Sequence, residues 1–125
     1  MSDRFWKTVF NIAAVLTGGA GLGWLIAPEA TLVMGGASPL PDYLFVRIAG
    51  IAVFAFGIGY ALVARNLGLR EIVWLGVIGK GLVVVLFFFY LLAGALSPIQ
   101  LAIPLADAMM VALFLLFLLT RRNTA

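Results

Sequence analysis

Four long apolar stretches, roughly 8–27, 43–64, 72–96 and 98–119, alternate with short segments rich in glycine, proline or charge. Each supplies the run of about 20 residues that a hydrocarbon layer about 30 Å thick demands of a spanning helix. None carries the alternation of a lipid-facing barrel strand, and a helix satisfies its own backbone hydrogen bonds in lipid. The pattern therefore predicts an all-α chain, with residues 1–125 forming one transmembrane domain. Its expected architecture is an antiparallel, up-down-up-down four-helix bundle.

The punctuation supports these limits. Pro28 and the stretch Gly35-Gly36-Ala37-Ser38-Pro39-Leu40-Pro41 mark a first loop, with Asp42 placed to cap the second helix. Arg65-Asn66-Leu67-Gly68 closes that helix. Ser97-Pro98-Ile99-Gln100 has the capping-box spacing with proline at the first helical position, so it opens the fourth helix directly after the third.

Composition moves the chain out of water. Hydrophobic residues make up 65% of its 125 positions and charged residues 10%, against about 25% charged in a soluble domain. The lipid bilayer is the implied partner. The net charge of +3 comes from scattered Lys and Arg that form no basic stripe, so nucleic acid is not implied. The chain has neither cysteine nor histidine, which removes haem or zinc held by those residues, thiol chemistry and a histidine triad. MSDRFWK followed by an apolar run has the outline of a secretory leader. The run lasts about 20 residues, so it reads instead as an uncleaved first span.

The charges also orient the spans. Arg4 and Lys7 precede the first, Arg65 and Arg70 join the second to the third, and Arg121 and Arg122 follow the fourth. The other two connections hold no Lys or Arg, only Glu29 and Asp42. The positive-inside rule then puts both termini in the cytoplasm, in a multi-pass protein of a bacterial-type inner (plasma) membrane. Trp6, Tyr60 and Trp74 are expected near the inner interface, and Trp24, Tyr43 and Tyr90 near the outer one.

Two glycine motifs imitate nucleotide loops. Gly76-Val-Ile-Gly-Lys-Gly81 lacks the spacing and the hydroxyl residue of a phosphate loop, and Gly18-Gly-Ala-Gly-Leu-Gly23 lacks dinucleotide spacing and a preceding strand. Glycines at helical intervals suit close helix contact in lipid: Gly19 with Gly23, Ala14 with Gly18, and Gly50, Gly57 and Ala61 beyond Arg47. Such a stripe serves the bundle itself or a homo-oligomer. Met109-Met110 points to two helix faces, as filler does and a ligand pair does not. Phe87-Phe88-Phe89-Tyr90 reads as lipid contact with an interfacial tyrosine.

Arg47, Lys80 and Asp107 are the ionisable residues within the spans. An intramembrane charge costs about 2.5–3.5 kcal/mol or more, so such groups face the interior and find partners. At 1.5 Å per residue, Arg47 lies about 5 Å below the outer end, Asp107 about 10–14 Å and Lys80 about 20–25 Å. Asp107 is therefore the expected shared acceptor for both cations, with Pro104 bending the fourth helix beside it. One carboxylate facing two cations leaves a positive charge unmatched: Lys80 is neutral, Glu29 or Asp42 folds over the top, or a ligand with an acceptor group completes the site. Arg47, Lys80 and Asp107, flanked by Asn11, Tyr90 and Gln100, form the candidate ligand site. Asp107 is also the candidate general acid, although no second catalytic group accompanies it.

The segment FVRIAGIAVFAFGIGYALVAR (45–65), an arginine at its outer start followed by a glycine-rich face, resembles the second helix of DoxX-like small membrane proteins. The short final hairpin and the total length fit the same group. That resemblance implies a membrane subunit linked to quinone oxidoreductases or an assembly factor, with Arg47 as the helix-two arginine. Two function classes follow. One is a protein that binds a quinone, isoprenoid or lipid between its helices, as an accessory to a membrane redox system. The other is a structural or assembly subunit of a membrane complex, whose intramembrane charges set bundle register.

Overall fold

A computed structural model describes residues 2–121. Among them it contains five α-helices and no strand: α1 (Asp3–Ile26), α2 (Pro28–Met34), α3 (Leu44–Arg65), α4 (Arg70–Leu92) and α5 (Ala102–Thr120), with a 3-10 turn at Pro98–Leu101 before α5. Four of these elements, the last including its 3-10 turn, are long and apolar enough to cross a membrane. At most 28% of the residues in their apolar windows are buried within the protein. The remaining apolar surface requires a nonaqueous surrounding, so the architecture is that of a multi-pass membrane protein. The chain divides into two compact units, Met1–Leu67 and Gly68–Ala125.

In the first unit α1 begins earlier than the apolar pattern suggests. The Ser2 hydroxyl accepts from the Phe5 amide at 3.2 Å, capping a helix that carries Asp3, Arg4 and Lys7 in its first turns. The helix ends where Pro28 forces it to. Proline disfavours helical geometry at Ala27, which sits at φ −132° and ψ 66°, and it has no N–H for the α1 ladder. Pro28 does not mark a loop, as expected; it is the first residue of α2.

Two helices end on the same backbone device. After α2, Gly36 adopts φ 90°, while Gly36 and Ala37 donate to the carbonyls of Val33 and Leu32. After α4, Gly94 adopts φ 70°, while Gly94 and Ala95 donate to those of Leu91 and Tyr90. Both are Schellman closures, with glycine in the left-handed conformation that a side chain disfavours. The second closure stops the helix at Leu92, four residues short of the expected 96. The third loop is correspondingly longer.

Asp42 caps α3 from one position further out than a standard N-cap, its Oδ1 accepting from the Leu44 amide at 3.2 Å. The Tyr43 hydroxyl accepts from the Leu40 amide at 3.1 Å and ties the preceding loop to the helix start. Asn66 ends α3, as the sequence indicates. Pro104 falls in the first turn of α5, where a missing N–H costs no helical hydrogen bond. The expected interior bend at that residue is therefore replaced by a helix start.

Within the first unit, α1 and α3 lie backbone to backbone. A methyl group built on Gly57 would stand 2.5 Å from both Cα and N of Gly18, and one on Gly50 would stand 2.7 Å from the Gly21 carbonyl oxygen. As α1 advances from Gly18 to Gly21, the opposing residue retreats from Gly57 to Gly50 and Phe54, so the two helices run in opposite directions. The α1 ridge is Gly18 and Gly21, with the Ala14 carbonyl oxygen also against Gly57. Gly19 faces open space, which corrects its assignment as a contact; Gly23 instead meets Thr31 of α2.

Trp6 and Tyr60 are each 1% exposed. They belong to the buried core, whereas Trp74 and Tyr90 are exposed.

Candidate functional site

The second unit holds the polar centre of the chain. Lys80 Nζ lies 3.1 Å from Asp107 Oδ1, joining the middle of α4 to the early part of α5. Their side chains retain 13% and 16% exposure. A lysine in an apolar helix needs a counter-charge, and the carboxylate one helix away supplies it through a charge-assisted hydrogen bond. The sequence-based expectation that Lys80 is tied to Asp107 holds.

A second polar clamp lies at the other end of the same hairpin. Arg70, the first residue of α4, donates from Nη1 to the Arg121 carbonyl and from Nη2 to the Leu118 carbonyl, each at 3.1 Å. The last carbonyls of a helix have no partner within it and carry its negative dipole end. A guanidinium with several donors in a fixed fork meets both needs. Arg121 lies with its Cζ 5.6 Å from the Phe117 ring centroid, within cation–π range.

Sequence reasoning used Arg70 only as a marker of membrane sidedness. The hairpin register contained the missing signal. Moving ten residues back from Lys80 and eleven forward from Asp107 brings Arg70 opposite Leu118 when the helices run in opposite directions.

The remaining candidates are spread over both units. Gln100 is engaged in the capping box, its Oε1 accepting from the Ser97 amide at 2.9 Å and the Ser97 hydroxyl at 3.2 Å. That role holds the Oε1 end of the side chain locally, on the 3-10 turn. Tyr90 is exposed near the end of α4. Arg47 stands exposed in the first turns of α3, in the first unit. Arg122, which contributed to the expected charge asymmetry, lies outside the described residues.

Asn11 lines two concave features of the first unit. One is an open groove of about 430 Å³ between α1 and α3, floored by Ala14, Gly18 and Gly57 and walled by Val15, Phe54 and Ile58. The other is a smaller depression of about 280 Å³ on α1 alone, where Asn11 is joined by Thr8, Ile12, Val15 and Leu16. Both open to the surroundings, and their walls are almost entirely apolar. The groove could receive a flexible hydrocarbon tail but offers no converging acid and base.

Met109 is exposed and Met110 half-buried, in keeping with different faces of α5. Phe88 and Phe89 are exposed with ring centroids 6.4 Å apart. Gly79 and Gly81, the glycines beside Lys80, have no packed neighbour among the described residues of the second unit within 4 Å of a built methyl group. The Gly76–Gly81 segment is continuous α-helix, which replaces any loop cradling phosphate.

Compared with protein-family models, curated proteins and solved structures, the chain matches none.

Proposed function

We propose that this chain is a non-catalytic subunit or assembly factor of a membrane complex, spanning a bacterial-type inner membrane four times with both termini in the cytoplasm. The Lys80–Asp107 pair carries this reading. Lysine and carboxylate satisfy each other at 3.1 Å, and such a pair specifies the register of two apolar helices that would otherwise slide in lipid. Arg70 reinforces the same register from the helix end. The orientation rests on the basic ends Arg4, Lys7, Arg65, Arg70 and Arg121 against the acidic connection containing Glu29 and Asp42. With native cysteine absent, thiol labelling at Gly35→Cys and Ser97→Cys tests the sidedness. Both positions are expected to react from outside, and reaction from inside at either defeats the topology.

The groove between α1 and α3, with Asn11 at its rim, favours a second reading, binding of a quinone, isoprenoid or lipid; the Lys80–Asp107 pair of the second unit is a separate polar candidate for the acceptor group of such a ligand. Such binding is also the activity class implied by membership of the DoxX-like group, in which the protein would be an accessory to a membrane redox system. Mass spectrometry of protein purified from native membranes separates the readings. The structural reading expects the same protein partners with wild type and Asp107→Asn, and no small molecule whose retention depends on Asp107. Retention of a quinone, isoprenoid or lipid that disappears with Asp107→Asn overturns it in favour of ligand binding.

A further inference from the structure

We propose that α2 is an interfacial helix that lies along the membrane surface with its Met34 edge in lipid and its Glu29 edge in water. The inference rests on the reading of α1 as a membrane span. Three observations within the first unit lead to it.

Covalent and packing constraints fix the level of α2. Only Ala27 separates α2 from the end of α1. Thr31 packs over Gly23, where an added methyl group would lie 2.8 Å from the Thr31 hydroxyl oxygen. Gly23 is three residues before the end of α1, about 4.5 Å along its axis. The short helix is thus held within about one helical turn of the level at which α1 ends.

The exposed face of α2 has a charged edge at Glu29 and an apolar edge at Met34, with Val33 and Ala30 between them. Pro28 is buried and Thr31 and Leu32 are half-buried, whereas Glu29, Ala30, Val33 and Met34 are exposed. Val33 is 48% and Met34 76% exposed. At about 100° per residue, Glu29 and Met34 lie about 140° apart around the helix, on opposite edges of that exposed face. A helix in plane with the membrane boundary satisfies both edges at once, and phospholipid supplies the apolar and polar layers in the required order.

The ends of α2 fit the same placement. The Schellman closure at Gly36 internally satisfies carbonyls that would otherwise face hydrocarbon. The following loop is also tied down, through Leu40 and Tyr43. Leu40 is exposed as well, adding an apolar contact next to the anchored segment.

Spin labels on the cysteine-free chain test this directly. Labels at Met34→Cys, Glu29→Cys and Ile58→Cys would be measured in phosphatidylcholine–phosphatidylglycerol vesicles for collision with oxygen, which concentrates in hydrocarbon, and with a water-soluble nickel chelate. The expected oxygen-to-nickel ratio is several-fold higher at Met34→Cys than at Glu29→Cys. Equal ratios, whether both aqueous or both hydrocarbon-like, overturn the interfacial orientation, as does the reverse order. Ile58, an exposed residue inside α3, is the control for the underlying reading. A nickel-accessible Ile58→Cys label would defeat membrane spanning by this unit, while a hydrocarbon-like Ile58 with equal α2 labels would defeat the interfacial helix alone.

Discussion

The two helix pairs solve the same problem with different chemistry. In the first unit, α1 and α3 meet through glycine, with backbone against backbone at Gly18–Gly57 and Gly21–Gly50. In the second, α4 and α5 are joined through long polar side chains, Lys80 to Asp107 at mid-helix and Arg70 to the carbonyls closing α5. Lipid removes the usual reason for helices to associate, because hydrocarbon is as apolar as leucine. Dispersion between closely approaching backbones can replace that driving force, and so can the cost of leaving a charge unpartnered. The first solution tolerates no added volume. The second tolerates volume but no lost partner.

The largest effect is expected where that intolerance is greatest. Gly57→Leu puts a branched side chain where even one methyl group would stand 2.5 Å from the Gly18 backbone. Backbone atoms cannot turn aside as a side-chain end can, so α1 and α3 must separate. Overpacking ordinarily costs about 1–3 kcal/mol, and this site belongs at or above the upper end. Leu62→Ala, at an exposed position on the same helix, should leave the unfolding midpoint in detergent nearly unchanged. Equal midpoints for the two variants would show that the glycine contact does not hold the pair together.

The corresponding challenge to the second unit is Asp107→Asn, which keeps the volume but removes the counter-charge of Lys80. Breaking a buried ion pair costs about 3–5 kcal/mol in water-soluble proteins, whereas polar contacts between membrane helices average about 0.6. Partial exposure of this pair argues for the intermediate range, a loss of about 1–3 kcal/mol. Adding Lys80→Met should restore part of it by removing the stranded cation. Strictly additive losses in the double variant would mean that Lys80 and Asp107 do not stabilise one another.

These contrasts also separate what was legible in the sequence from what was not. Span length and the isolated charges were sufficient for four apolar helices and for the Lys80–Asp107 contact, because each follows from a large solvation cost. The small-residue face of α3 was legible for a related reason: Gly50 and Gly57 fall on one side at helical spacing. Its partner face was misread at Gly19 because several glycines crowd that part of α1, and only the crossing selects Gly18 and Gly21. The end of α4 was hidden because Ala93, Gly94, Ala95 and Leu96 continue the apolar run after the backbone has turned at Gly94. A hydrophobicity pattern does not register that turn, whereas the left-handed preference of glycine does. Of the candidate site, the lysine–aspartate pair was legible, while the role of Arg70 depended on helix register and that of Gln100 proved to be a cap.

The smallest effect sharpens the comparison from the opposite direction. Gly79 and Gly81 flank Lys80 in the motif that imitates a phosphate loop, yet among the described residues of the second unit no packed neighbour comes within 4 Å of a methyl group built on either one. If glycine served α4 as it serves α1 and α3, Gly79→Ala would be damaging. Because the space is empty, alanine should fit, and its lower backbone entropy would favour the helix. In water that exchange contributes about 0.4–1 kcal/mol through the unfolded chain. A span released from its partners in a bilayer remains largely helical, since lipid offers its backbone no other hydrogen bonds. The benefit should therefore shrink toward zero, and the unfolding midpoint of Gly79→Ala in lipid-detergent micelles should stay level or rise slightly. A loss approaching that of Gly57→Leu would mean that a helix from outside the second unit lies against Gly79. The division between a glycine-packed pair and a charge-clamped pair would then hold within each unit but not for the contacts each unit makes beyond itself.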